Sequence, residues 1–231
     1  MRSEFSAEAG EDTGAGPRIK VCCIASIAEA RMAVRHGAWA VGLVSSMPSG
    51  PGVIPEETIA EIAASVPSAV AAFLLTSSRE PREIIDQQRR CGVDTIQLCD
   101  WLAPETLIEI REALPGIRLV QVVHVVDDTA IDEAENTAPH ADALLLDSGN
   151  PRKAIKELGG TGRVHDWSIS RRIRESVDVP VFLAGGLTPE NVAEAVRQVR
   201  PFGVDVCSGL RTGDHLDEDK LALFVQSLEA L

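Results

Sequence analysis

The sequence lacks any hydrophobic run that approaches the roughly 20 apolar residues of a membrane-spanning helix. It also has no secretory leader at its start. Positive charge is scarce, because 22 Lys and Arg stand against 35 Asp and Glu, which gives a net charge of −13. So acidic a chain argues against nucleic acid and against an anionic membrane as partners. A phosphorylated small molecule needs only a local cluster of donors, and the overall charge does not argue against it.

Cysteine is also sparse. The chain has five, an odd number, at Cys22, Cys23, Cys91, Cys99 and Cys207. An odd number of cysteines in a chain without a secretory leader is typical of a reduced compartment, so we expect a cytoplasmic protein.

Short apolar runs alternate with helical patterns through most of the chain. Residues 1–17 have no periodicity, and we expect a loose leader there. Eight apolar runs predict strands at 18–24, 40–44, 69–75, 93–98, 118–123, 141–146, 179–183 and 203–207. The predicted helices begin near residues 26, 55, 80, 104, 127, 166, 189 and 217. Unbroken apolar strands that alternate with helices indicate a parallel sheet buried on both faces. Eight repeats predict the α/β class, as a single (β/α)8 barrel domain over residues 18–231.

The seventh apolar run ends in Gly185-Gly186, and a helix signal follows at once. Thr188 is a suitable N-cap, and Pro189 suits the first helical position. A glycine turn between a strand and a helix leaves bare backbone amides that suit a phosphate. In a (β/α)8 barrel, phosphate usually binds after strands seven and eight. The eighth run ends in Ser208-Gly209, so these two turns predict one phosphate site. The alternative is that the glycines only permit tight turns.

The same rule places reactive groups at the carboxyl ends of strands. Cys22 ends the first run, Cys99 and Asp100 follow the fourth, and Asp147 follows the sixth. A cysteine and an aspartate across a barrel mouth can act as base and acid on a sugar held between them. The alternative for Cys22 is a packed, small apolar residue. The loop at 159–162, with Gly160 and Gly162, is a lid, a second phosphate contact or a plain connector.

Several motifs occur in a characteristic order along the chain. They are Lys20-Val21-Cys22, Ile96-Gln97-Leu98, Leu144-Leu145-Leu146-Asp147, Gly159-Gly160-Thr161-Gly162 with Asp166-Trp167, Leu183-Ala184-Gly185-Gly186-Leu187 with Pro189-Glu190-Asn191-Val192, and Gly203-Val204-Asp205-Val206 followed by Ser208-Gly209. Together they resemble the phosphoribosylanthranilate isomerase family, from about residue 18 to the C-terminus.

The resemblance implies an Amadori rearrangement of N-(5'-phosphoribosyl)anthranilate in tryptophan biosynthesis, with Cys22 as general base and Asp147 as general acid. It implies no metal and no organic cofactor, because the iminium intermediate is itself the electron sink. The implied phosphate contacts are Gly160, Gly162, Gly185, Gly186, Ser208 and Gly209, and the implied substrate contacts are Lys20, Gln97, Cys99 and Asp205. The expected partner is a phosphorylated sugar-amine substrate, bound by a monomer or homodimer. Lys20 lies two residues from Cys22 on the same strand face, and we expect it to favour the thiolate.

Three positions depart from the family pattern. Cys23 replaces the usual Gly, Cys99-Asp100 replaces His-Gly, and Pro51 stands where the family has an Arg that holds the anthranilate carboxylate. Loss of that partner costs on the order of 2–5 kcal/mol unless another cation replaces it. The candidates for this replacement are Arg79, Arg152 and Arg163.

These departures leave three alternatives open. The first is an epimerase- or aldolase-type (β/α)8 enzyme for another phosphosugar. The second is a non-enzymatic protein that binds a phosphorylated metabolite. The third is a soft-metal or redox-sensitive site at Cys22, Cys99 and Cys207, although no Cys-x-x-Cys spacing supports it.

Overall fold

The computed structural model describes residues 16–231. Nearly all of the expected leader at 1–17 therefore lies outside the described residues. The strands are β1 Arg18–Val21, β2 Ala40–Val44, β3 Ala71–Thr76, β4 Thr95–Leu98, β5 Arg118–His124, β6 Ala143–Asp147, β7 Val181–Leu183 and β8 Gly203–Val206. They pair in chain order, and β8 also pairs in parallel with β1, which closes the barrel. The predicted (β/α)8 fold is confirmed.

Helices follow the strands in the predicted order. They are α1 Ile27–Arg35, α2 Glu56–Ser65, α3 Pro81–Cys91, α4 Pro104–Ala113, α5 Thr129–Thr137, α6 Trp167–Ser176, α7 Val192–Val199 and α8 Glu218–Glu229. Local sequence explains their ends: the Ser26 side chain accepts from the Glu29 amide and caps α1. Gly92, with a φ of 66°, terminates α3. Within residues 16–231 no helix has both the length and the apolar character required to cross a membrane.

The core has two layers. The outer layer packs helices against the strands, and the inner layer fills the barrel. Phe73 and Phe182 occupy the inner layer, with ring centroids 6.2 Å apart. Trp39 precedes β2 and Phe202 precedes β8, and their rings lie 5.9 Å and 5.3 Å from that of Phe182. Because both flanking residues come before their strands, this aromatic cluster fills the amino-terminal end and leaves the carboxyl end for a site.

Two local predictions were wrong, and one element was missed. The strand β1 ends at Val21, because Cys23 adopts a φ of 61° and turns the chain out of the sheet. Helix α7 begins at Val192, three residues after Pro189, because the Asn191 side chain accepts from the Thr188 amide and donates to the Gly186 carbonyl. A hairpin was not predicted at all: β9 Arg211–Thr212 pairs with β10 His215–Leu216.

Candidate active site

The candidate site is an open cleft at the carboxyl ends of the strands. Its walls come from the turns after β1, β2, β6, β7 and β8. The predicted site residues that line it are Cys22, Gln97, Asp147, Gly160, Gly162, Gly185, Gly186, Asp205 and Ser208. The structure thus brings the candidate base, the candidate acid and most of the candidate phosphate contacts to one opening.

Cys22 lies just past β1 and is held by a 2.8 Å hydrogen bond from its amide to the Val206 carbonyl on β8. Its side chain is 5% exposed and reaches the cleft. A Cβ added at Gly42 would stand 2.7 Å from the Cys22 Sγ and 3.1 Å from the Lys20 Nζ. Both atoms therefore lie against the same bare glycine, and only glycine leaves room for them.

Lys20 is fully buried below the cleft. Its Nζ donates to the Asp205 Oδ1 at 2.7 Å and lies 5.2 Å from the centroid of the Phe73 ring. Burial alone would lower the pKa of Lys20, but Asp205 and then Cys22 outweigh it and raise that pKa above its ordinary value. Lys20 is therefore a permanent cation buried beside the Cys22 side chain.

Asp147 ends β6. Leu145, on the same face of this strand, belongs to the barrel interior, so Asp147 also points inward. Its side chain is 6% exposed, and its Oδ1 accepts from the Ser148 amide at 2.8 Å. Burial raises the pKa of Asp147, against the opposing influence of His124 and the Ser148 amide. A carboxyl that retains its proton to higher pH suits a general acid.

The glycine turns form the opposite wall. Gly185 and Gly186 have φ values of 84° and 64°, a conformation that L side chains rarely adopt. A Cβ on Gly162 would lie 3.6 Å from the Ser208 Oγ, so the glycine-rich loop meets the turn after β8. Gly209 does not line the cleft, because it packs behind it: a Cβ there would lie 2.0 Å from the Leu187 carbonyl oxygen.

The residues at the end of β4 and directly after it differ in whether they reach the cleft. Gln97 lines the cleft, and its buried Oε1 has no hydrogen-bond partner in residues 16–231. Cys99 is 1% exposed and packs in the inner layer of the barrel, and its burial raises its pKa well above the ordinary value. Cys99 was expected to contact the substrate, and the structure does not place it in the cleft. Asp100 instead forms an ion pair with Lys156.

The loop after β2 closes on the loop after β6. A Cβ added at Gly160 would stand 2.4 Å from the Pro51 Cδ, and the Ser49 hydroxyl donates to the Lys156 carbonyl at 2.6 Å. Among the described residues, the cleft lining includes no Lys or Arg. The loop cations are paired elsewhere: Arg163 contacts Glu157, and Arg152 contacts Asp127.

Two further thiols lie beside Cys22. The pKa of Cys207 is lowered, first by a hydrogen bond with Cys23 and then by Arg211, against the effect of burial. Hydrogen bonds with Cys207 and Cys22, together with burial, raise the pKa of Cys23. Within the part of the chain that the structure describes, no three His, Cys, Asp or Glu side chains are grouped so as to hold a metal ion.

Sequence reasoning missed His124 at the end of β5. It lies opposite Asp147 in the β5–β6 register, and its Nε2 is 2.9 Å from the Cys99 carbonyl oxygen. The rule that reactive groups follow barrel strands would have found it, because His124 comes directly after Val122 and Val123 at the end of the fifth predicted strand.

The closed barrel, with Cys22 and Asp147 in one cleft at the carboxyl ends of its strands, has the arrangement of a (β/α)8 enzyme. The model of one family, N-(5'phosphoribosyl)anthranilate (PRA) isomerase, matches residues 19–227. The chain belongs to this family, and the resemblance seen in the sequence is confirmed.

Relatives with the same family name share much of the sequence. An N-(5'-phosphoribosyl)anthranilate isomerase of Haloferax volcanii is 39% identical over 210 residues, which covers 90% of this chain and 91% of the relative. One from Methanosarcina mazei is 38% identical over 90% of this chain and 92% of its own length. The solved phosphoribosyl anthranilate isomerase of Thermotoga maritima has a TM-score of 0.80 at 30% identity, over 93% of this chain and all of its own. A further isomerase structure, at 28% identity and a TM-score of 0.77 over 93% of this chain and 100% of its own, holds reduced 1-(o-carboxyphenylamino)-1-deoxyribulose 5-phosphate.

Proposed function

We propose that the chain is the isomerase that converts N-(5'-phosphoribosyl)anthranilate to 1-(2-carboxyphenylamino)-1-deoxyribulose 5-phosphate in tryptophan biosynthesis. One observation carries the proposal: in a member of this family, Cys22 and Asp147 open into the same cleft as the glycine turns after β6 and β7. A phosphosugar held by those turns would present its ribose carbons to both side chains.

Asp147 acts first, as general acid. Its carboxyl gives a proton to the furanose ring oxygen while the bond from that oxygen to C1' breaks. The nitrogen lone pair then forms the C1'=N bond of an open-chain iminium ion. The raised pKa of Asp147 keeps the proton available for this transfer, and its burial keeps the carboxyl in place.

Cys22 acts second, as the base. Its thiolate removes the C2' proton, and the electron pair of that C–H bond moves toward the iminium nitrogen to give an enolamine. The enolamine becomes the ketone when C1' gains a proton and the C2' hydroxyl loses one, so that the reaction is a net isomerisation. Lys20, buried against Cys22 and paired with Asp205, supplies the positive charge that stabilises the thiolate.

The phosphate is proposed to bind the backbone amides of the glycine turns and the Ser208 hydroxyl. Gly185 and Gly186 leave no Cβ in the way, and Gly162 meets Ser208 from the opposite loop. Gly160 would contribute through the same loop, while Gly209 supports the turn from behind. Gln97 would hydrogen-bond the ribose hydroxyls, because its Oε1 faces no other partner among residues 16–231.

Complementation of a tryptophan auxotroph that lacks this isomerase tests the proposal in cells, and turnover of N-(5'-phosphoribosyl)anthranilate tests it with purified protein. We expect growth and turnover from the wild type. Cys22→Ala and Asp147→Asn should each abolish turnover while the product analogue still binds through its phosphate. A folded wild-type chain that neither complements nor turns over the substrate would refute the assignment.

One observation favours a second candidate, an enzyme that acts on another phosphosugar amine. The cleft lining among the described residues lacks Lys and Arg, and Pro51 occupies the mouth where a carboxylate would need a cation. Pro51→Arg tests this candidate: if the substrate is the anthranilate, the new guanidinium should lower KM about tenfold or more. Pro51→Ala is the matched control. A KM that is the same in Pro51→Arg and in Pro51→Ala would favour a substrate whose amine substituent has no carboxylate.

We also propose a cytoplasmic location and a monomer or homodimer, with no nucleic acid or membrane partner. The net charge of −13 supports the absence of polyanionic partners. One structural relative is described as the monomers of a dimeric isomerase from Thermotoga maritima. Light scattering on the purified chain would decide between the two states.

A further inference from the structure

A buried imidazole that the reaction scheme does not use lies beside the general acid. His124 is the last residue of β5, and Val120 and Val122 on the same face fill the barrel interior, so the ring points inward. In the β5–β6 register it stands opposite Asp147. The two side chains are 7% and 6% exposed, so water screens their interaction little.

The ring is held by one hydrogen bond. Its Nε2 lies 2.9 Å from the Cys99 carbonyl oxygen, which can only accept, so Nε2 carries a hydrogen. The buried Nδ1 has no partner among the described residues. A buried polar atom without a partner costs roughly 1–3 kcal/mol, so a structural role alone does not explain an imidazole here.

The backbone around the ring leaves it no freedom to turn away. A Cβ at Gly149 would stand 2.4 Å from the His124 Nδ1 and 2.4 Å from the Glu157 carbonyl oxygen. Below the ring, the Val125 amide donates to the Asp147 carbonyl at 2.9 Å, which fixes the two strand ends to each other. The two strand ends that carry the imidazole and the carboxyl are therefore fixed relative to each other.

Charges surround this pair on several sides. The titratable residues on the segments that pack around the imidazole are Cys99 and Asp100 after β4, Asp147 at the end of β6, and Lys156 and Glu157 in the following loop. Asp100 is neutralised by Lys156, and the Glu157 carboxylate by Lys153 and Arg163. Asp147 also faces Lys20 and Asp205, which pair with each other. Asp147 is thus the carboxyl near His124 for which no direct ion pair is formed among the described residues.

We propose, on the basis of the proposed isomerase function, that His124 is a positioning residue that controls the protonation of Asp147. The pair shares one proton, either on the carboxyl or on Nδ1. A proton on Nδ1 favours the carboxylate, and a neutral ring leaves the carboxyl protonated and ready to act as acid.

Coupling of this kind gives a specific titration. Two groups that share a proton titrate in two macroscopic steps, whereas an isolated carboxyl titrates in one. His124→Gln keeps an N–H for the Cys99 carbonyl and removes the titrating ring. We expect the protonated Asp147 carboxyl, followed by infrared difference spectroscopy, to disappear in two steps in the wild type and in one step in His124→Gln. The Asp147→Asn protein has no carboxyl at this position, so the infrared band that it lacks is assigned to Asp147.

The pH profile of kcat should show the same change. Between the two steps, His124→Gln should hold a larger protonated fraction of Asp147, so its kcat there should equal or exceed the wild-type value. His36→Gln is the matched control, since His36 lies at the distant end of α1 against Glu218. It should leave both the infrared titration and the kcat profile unchanged.

Two outcomes would overturn the proposal. One is an Asp147 titration that is identical in the wild type and in His124→Gln. The other is a uniform fall in kcat at every pH, which a purely structural role would give. Since the infrared titration needs no substrate, it tests the pair even if the wild type fails to turn over the anthranilate, and the two failures remain distinguishable.

Discussion

As the proposed general acid, Asp147 must retain its proton, and its burial achieves this by opposing the ionised form. A carboxyl whose pKa is raised in the folded state stabilises the fold less as pH rises from its unfolded value, about 3.9, through its folded value. At neutral pH, which lies above the unfolded value, this cost is present. The proposed role of Asp147 as an acid therefore conflicts with the stability of the fold.

We predict that Asp147→Asn unfolds at a higher Tm than the wild type at pH 7 and has no isomerase activity. The amide is neutral, and its Oδ1 can still accept from the Ser148 amide. The advantage should shrink as pH falls toward 4. Thermal unfolding at several pH values would measure it.

Asp142→Asn is the contrasting control. Asp142 accepts from Arg111 at 3.0 Å and from the Leu119 amide at 2.8 Å, so its neutral variant loses an ion pair and should unfold at a lower Tm. If Asp147→Asn were as destabilising as Asp142→Asn, burial would not be the dominant influence on Asp147.

At the residue scale, the sequence predicted the groups that directly follow apolar runs. Cys22, Asp147, Gly185 and Ser208 all reach the cleft because the ends of parallel strands share one edge. The absence of Cys99 from the cleft lining could not be predicted, because the turn after β4 decides whether its side chain reaches the cleft or packs in the inner layer of the barrel. The proximity of Lys156 to Asp100 depends on a loop path that no sequence periodicity describes.

The hairpin of β9 and β10 is held by a buried ion pair. The Glu29 carboxylate accepts from the Arg211 guanidinium at 3.2 Å and from the amides of Ala25 and Leu216, each at 2.9 Å. Arg211 also donates to the Cys23 carbonyl. This side chain therefore joins the segment after β8 to the turn after β1 and to the start of α1.

We predict that Arg211→Met lowers the free energy of unfolding by about 3 kcal/mol, because it leaves Glu29 buried without its partner. Arg35→Met is the control: its side chain is 61% exposed, and loss of its contact with Glu218 should cost less than about 1 kcal/mol. Urea unfolding followed by circular dichroism measures both. Equal losses in the two variants would show that the Arg211 pair contributes no more than a surface pair.

At the element scale, most strand positions were predictable because strands such as β2, β3 and β6 are apolar runs buried on both faces. The hairpin was missed because strands of two residues have no measurable periodicity. The start of α7 was missed because Asn191 closes a turn over Thr188 with its side chain, and that contact overrides the preference of Pro189 for a first helical position.

The whole molecule has a net charge of −13, so its surface charges repel one another. Salt screens this repulsion, since the Debye length falls to about 3 Å at 1 M ionic strength. We predict that KCl at about 1 M raises Tm by roughly 2–4 °C, equivalent to about 1 kcal/mol in a chain of this size. Differential scanning calorimetry across a KCl series would measure the shift. A Tm that is constant or falls with KCl would mean that the ion pairs on the surface contribute more than the repulsion costs.

The Lys20–Asp205 ion pair has a consequence for the order in which the protein matures. Its two residues are 185 positions apart, on the first and last strands of the barrel. During synthesis, Lys20 leaves the ribosome long before its counter-ion does, and Cys22 has no neighbour at Val206 until β8 is complete. A nascent chain that lacks its final strand therefore has neither the cation–thiol environment nor Ser208 in place. The proposed catalytic site is therefore incomplete until β8 has been synthesised and has paired with β1.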